Sequence, residues 1–196
     1  DDWMKLKRPS GSSSRHGLYS WEKMLFQVGL AVLLAIFLWK HGQNNPVVTD
    51  SGEELIPAHT FYFPFKSAPV ALAFIVYLVV VCFTMVGTSN AVNLTDGMDG
   101  LASGCMAITC GVFLLISWIV GVSEWAALFH LPLVPGSAEM TVLCAAMFGA
   151  CLGFLWYNAH PAQMFMGDTG SLPLGGLLGY VAVVTRQELM LVIAGG

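Results

Sequence analysis

The chain has 196 residues, of which 56% are hydrophobic and only 10% charged, against about 25% charged in an ordinary soluble domain. Its eight Lys and Arg and twelve Asp and Glu side chains cannot clothe the exterior of a soluble core this large, so apolar surface must face lipid. A net charge of −4 excludes a generally basic nucleic-acid binder, and Cys82, Cys105, Cys110, Cys144 and Cys151 all lie inside apolar runs, without disulfide-framework or zinc-finger spacing.

In chain order, charge-free stretches long enough to cross a hydrocarbon core of about 30 Å, at about 1.5 Å per residue, predict an all-α, polytopic helical bundle. The five predicted spans are Met24 to Trp39, Pro69 to Ser89, Leu101 to Val122, Met140 to Tyr157 and Ser171 to Thr185, with an incomplete sixth from Leu189. The first is short, but Lys23 and Lys40 can snorkel at its ends, and Trp21 and Trp39 suit the interfaces. Residues 1–196 read as a single transmembrane domain. The absence of an initiator Met and of a signal peptide, with a last residue inside an apolar run, leads us to expect part of a longer protein.

Five crossings place segments 1–23, 90–100 and 158–170 on one side and 40–68, 123–139 and 186–188 on the other. Lys5, Lys7, Arg8, Arg15 and Lys23 lie on the first side, which the positive-inside rule makes cytoplasmic. The outer acids, Asp50, Glu53, Glu54, Glu124, Glu139 and Glu188, need only be a solvated surface.

The inner side collects Asp1, Asp2, Asp96, Asp99 and Asp168. Acids clustered at helix ends near hydrocarbon need a partner, and a divalent cation is the simplest. Hard oxygen ligands suit Mg²⁺, which takes one or two carboxylates together with waters and substrate phosphates. In Asn90-Ala-Val-Asn-Leu-Thr-Asp-Gly-Met-Asp-Gly-Leu101, Asn90, Asn93, Asp96 and Asp99 recur every three residues and drift slowly around one helix face. A helix cap needs one Asx residue and four are present. The spacing fails an EF-hand, and the closing Glu is missing. In the third inner segment Gly167 and Gly170 bracket Asp168 in what reads as a shaped loop, where Phe165 either stacks on a planar base or anchors the loop in lipid. His160 reads as a loop residue rather than a ligand.

Asp1-Asp2-x-x-Lys5, Asn90-x-x-Asn93-x-x-Asp96-Gly-x-Asp99-Gly-Leu101 and Phe165-Met-Gly-Asp168-x-Gly-Ser171 resemble the polyprenyl-phosphate N-acetylhexosamine-1-phosphate transferase superfamily. Within it, Asn90-Ala-Val-Asn-Leu-Thr-Asp and Pro161-Ala-Gln-x-Phe-Met-Gly-Asp look like the proteobacterial phospho-N-acetylmuramoyl-pentapeptide transferases. The resemblance implies Mg²⁺-dependent transfer of phospho-MurNAc-pentapeptide from its UDP carrier to undecaprenyl phosphate, giving lipid I and UMP. Its setting would be the bacterial inner membrane, with the active site cytoplasmic and a homodimer allowed.

By the same resemblance, Asp168 is the Mg²⁺ ligand, Asp1 and Asp2 the catalytic acid pair, and Lys5 and Lys23 substrate-binding residues of the basic segment. Asn90, Asn93, Asp96, Asp99, Asn158 and Phe165 are similar to substrate-pocket residues, with Phe165 and Asp99 near the uracil. The family has ten membrane helices, so helices before Asp1 and a C-terminal cytoplasmic His-rich loop are expected outside this chain. Rival readings are a sister transferase carrying GlcNAc-1-phosphate, which shares the acidic motifs, and an ion-coupled transporter, which calls for acids at mid-membrane.

Overall fold

In lipid no water satisfies the backbone, so long apolar runs must close their hydrogen bonds within a helix. A computed structural model describes residues 19–44, 47–48, 54–55, 60–62, 70–129 and 131–195. Its long runs form α1 (Ser20–Asn44), α2 (Phe74–Thr95), α3 (Leu101–Gly121) and α5 (Met140–Asn158), with a short α4 (Ser123–Leu128) and a 3-10 turn (Ser137–Glu139) before α5. Two further helices follow, α6 (Gly167–Val184) and α7 (Glu188–Gly195).

Helices α1, α2 and α3, and α5 together with the turn before it, are each long and apolar enough to cross a membrane. The chain is therefore an all-α, polytopic membrane protein. The fifth expected span is present as α6, but its glycines, Pro173 and Asp168 dilute its apolar character below that of the other four.

Two details differ from expectation on the side opposite the acidic motifs. The segment 40–68 is not plain loop: α1 runs on to Asn44, and β1 (Val47–Val48) pairs antiparallel with β2 (Glu54–Leu55), as does β3 (Thr60–Phe61) with β4 (Val70–Ala71). Residues 186–188 are not a solvated surface either, since Arg186, Gln187 and Glu188 are buried. After α6 the chain turns back through Arg186 at φ 60°, with the Gln187 N–H donating to the Ala182 carbonyl at 2.8 Å. That helix-ending turn usually carries glycine. It folds the Arg186 guanidinium inward, 5.7 Å from the Tyr77 ring centroid. Glu124 and Glu139 are exposed, as expected.

Helix α3 packs along α5, α2 along α6, and α1 along α2. Cys110, Phe113, Cys144, Met147 and Cys151 form one core with Leu178, Val181 and Ala182 of α6. Ala31 and Ala35 of α1 meet Tyr77, Val81 and Met85 of α2 in a second core, which also takes Val183 of α6. Helix α6 thus belongs to both cores. Its seam with α2 depends on small residues, as helix association in lipid generally does. A Cβ on Gly175 would lie 2.5 Å from the Thr88 carbonyl oxygen and 2.7 Å from Ser89 Cα.

Candidate active site

The end of α2, the start of α3, the end of α5 and the starts of α1 and α6 all fall at one end of the bundle. Lys23, Asn90, Asn93, Asp96, Asp99, Asn158, Phe165 and Asp168 are therefore gathered there. Asp1, Asp2 and Lys5 lie outside the described residues.

Asp168 sits in the first turn of α6 rather than in a loop. The N-terminus of a helix favours negative charge, because its first N–H groups have no partner within the helix. The Lys23 ammonium, in the first turn of α1, makes an ion pair with the Asp168 carboxylate. Both side chains stay partly exposed, so the pair is worth little as stability and more as a way to hold opposite charges at the mouth of a site.

Asp96 caps the end of α2 and accepts the backbone N–H of Gly167, which is at φ +64° in the left-handed region that favours glycine. Burial holds the Asp96 carboxyl above its ordinary range; the Gly167 N–H opposes this and the nearby Asp168 charge adds to it. The folded state then keeps its proton more tightly than the unfolded chain, so the contribution of Asp96 to stability falls as pH rises through its folded value. Asp96→Asn is accordingly expected to raise the thermal midpoint at neutral pH in a chelator. The gain should vanish below the ordinary carboxylate range, where both proteins are neutral at this position. A lower midpoint for Asp96→Asn at neutral pH would contradict this account of the carboxyl.

Asp99 pins the loop between α5 and α6: its Oδ2 accepts the Ala162 N–H at 3.1 Å and lies 3.2 Å from His160 Nδ1. His160, which the sequence reading set aside, is thus brought against one of the motif acids. Its one sequence signal is its place two residues after Asn158.

Asn158 closes α5 and is buried. Its Oδ1 accepts the Gly100 N–H at 3.1 Å and the Ser103 hydroxyl at 2.8 Å, while its Nδ2 donates to the Met164 carbonyl at 2.8 Å. The amide therefore ties the α2–α3 turn to the loop carrying Phe165, and Phe165 itself stands 76% exposed, with its ring accessible. Asn90 Nδ2 donates to Gln27 Oε1 at 2.7 Å and to the Val86 carbonyl at 2.8 Å. Gln27, Ser103 and Ser171, which touch these motif residues, received no role in the sequence reading.

Three acids, a lysine and carboxamides lie beside an accessible aromatic at one end of apolar helices; the lysine can offset phosphate charge directly, and the carboxylates can do so only through a cation that they hold. The chain belongs to glycosyl transferase family 4, whose pattern residues 15–186 match. It is 42% identical over 196 residues to a phospho-N-acetylmuramoyl-pentapeptide-transferase of Desulfotalea psychrophila, covering 100% of this chain and 50% of the relative. Proteins of the same name from Geobacter sp. (strain M21) and Rickettsia felis are 46% and 42% identical over 198 and 197 residues, again covering 100% of this chain and 50% of each relative. The chain spans about half the length of the curated relatives it matches.

Proposed function

We propose that the intact protein transfers phospho-MurNAc-pentapeptide from UDP-MurNAc-pentapeptide to undecaprenyl phosphate, yielding lipid I and UMP at the cytoplasmic face of the bacterial inner membrane. The observation that carries this reading is the likeness of the whole chain, at 41 to 46% identity, to transferases so named. The meeting of Lys23, Asp96 and Asp168 at the lipid-headgroup end of the bundle supports it.

In this reading an oxygen of the lipid phosphate forms a bond to the sugar-linked phosphorus of the donor. The bond from that phosphorus to the bridging oxygen breaks, and the electron pair leaves on UMP. Charge accumulates on the departing phosphate, so catalysis is mostly a matter of position and neutralisation. The donor set suits Mg²⁺: burial and the nearby Asp168 charge both raise the proton affinity of the Asp96 carboxyl, and a hard divalent cation would offset that crowding of negative charge. Asp168, with Asp96 beside it, would hold the ion, which when bound neutralises pyrophosphate oxygens. Lys23 supplies a second positive charge, and the loop fixed by Asp99 and Asn158 presents Phe165 to the uracil. Asp1 and Asp2 complete the acid set as a pair whose side chains, being adjacent, have separate tasks.

Stacking of a base on an aromatic is worth about 1 to 3 kcal/mol. Phe165→Ala is therefore expected to weaken UDP-sugar binding by roughly tenfold to a hundredfold, measured by titration without acceptor lipid. Wild-type affinity in that variant would remove Phe165 from the pocket.

The functional reading itself is tested with the intact protein in detergent, undecaprenyl phosphate and labelled UDP-sugars. Lipid-linked product should form from UDP-MurNAc-pentapeptide, only with Mg²⁺, and not from UDP-GlcNAc. Preference for UDP-GlcNAc would assign the protein to the sister activity.

A further inference from the structure

Ser171 is fully buried, and its hydroxyl crosses from α6 to α2, donating to Asn93 Oδ1 at 2.7 Å. The Gly167 carbonyl, one turn earlier, lies 3.0 Å from the same oxygen. A hydroxyl has one proton to give, and the shorter contact is the one between helices. This bond is not needed to hold the two helices together. The Ser89 hydroxyl already donates across the seam to the Leu172 carbonyl at 2.9 Å, and backbone meets backbone at Gly175 and Gly179.

Its effect is on the carboxamide. An Asn side chain presents an acceptor at one end and a donor at the other, and the partner at one end decides which faces the remaining space. Asn90 has both protons of its Nδ2 engaged, on Gln27 Oε1 and the Val86 carbonyl, so it can offer a ligand only an acceptor. Asn93 is held the other way round. Its Oδ1 is occupied by Ser171, and none of the described residues accepts from its Nδ2. Asn93 is only partly buried and lies one turn before Asp96 on α2.

We propose that Ser171 is a positioning residue that fixes the Asn93 carboxamide with its NH₂ group as a hydrogen-bond donor to a pyrophosphate oxygen of the sugar-nucleotide. The proposal rests on the functional reading above and deepens it. Without the hydroxyl the amide turns freely, and in half of its orientations an oxygen faces the anionic ligand.

The test uses the intact protein, with UDP-MurNAc-pentapeptide turnover and the affinity for UDP alone as separate readouts. Ser171→Ala is expected to raise the donor KM and the UDP Kd about tenfold, with kcat within about twofold of wild type and an unchanged thermal midpoint. Ser171→Thr, which returns the hydroxyl, should restore both constants. In an Asn93→Ala background, Ser171→Ala should add nothing. Unchanged KM and Kd in Ser171→Ala, or losses that add in full in the double variant, would overturn the proposal. So would a fall in kcat with a lowered midpoint, the mark of a merely structural hydroxyl. If the wild type does not use this donor, the functional reading fails, while the change in UDP affinity still decides the role of Ser171.

Discussion

Asp168→Asn in the intact protein is expected to lower turnover on the order of a thousandfold with little change in thermal midpoint. The substitution keeps size and shape but removes the charge that faces Lys23 and stands beside Asp96. Losing one preorganised electrostatic group at a site of developing charge costs about 10²- to 10³-fold elsewhere, and Asp168 is assigned two such duties, pairing the lysine and holding the cation. Its partial exposure explains why stability should barely respond. The measurement is initial rate against Mg²⁺ concentration. A rate within about threefold of wild type, with an unaltered Mg²⁺ dependence, would remove Asp168 from the site.

Gly175→Leu should lower activity severely for a different reason. The three nearest atoms to a Cβ at this position, at 2.5, 2.7 and 3.0 Å, are all backbone of Thr88 and Ser89, which cannot rotate away as a side chain can. Helices α2 and α6 would have to part. Overpacking of this kind costs about 1 to 3 kcal/mol or more, and the same seam carries the contacts of Ser171 with Asn93 and of Gly167 with Asp96. We expect activity on the order of a hundredfold down and a lower thermal midpoint. Gly176, next in the chain, has nothing within 4 Å of its Cβ position, so Gly176→Ala should behave as wild type. Equal effects at the two positions would show that close approach of the helices is not what the site needs.

The contrast between those neighbouring glycines illustrates what the sequence could reveal. Apolar runs of spanning length were legible, because burying backbone in lipid leaves a chain few options, and α3 and α5 begin and end within one residue of the expected spans. Helix α2, by contrast, lies five to six residues further along than expected and takes Asn90 and Asn93 out of the expected inner loop into its last turns. Helix α6 was legible except for its first turn, residues 167–170. Glycines on either side of Asp168 resemble a loop, and only packing against α2 makes them the first turn of a helix. The motif acids were legible through their spacing, whereas their supports were not. Ser103 and Ser171 lie inside apolar helices, and no local pattern shows which distant amide each will meet. Charge misled at Arg186 and Glu188: residues that read as a solvated loop are buried by a turn that folds back onto Tyr77.

A structure of the intact protein with UDP-MurNAc-pentapeptide and Mg²⁺, without acceptor lipid, tests the central claim most directly. The account places the uracil on Phe165, the pyrophosphate between Lys23 and the carboxylates of Asp96 and Asp168, and the Asn93 Nδ2 within hydrogen-bond reach of a phosphate oxygen. A nucleotide seated away from the junction of α2 and α6, with Asp96 and Asp168 touching neither ion nor phosphate, would contradict it.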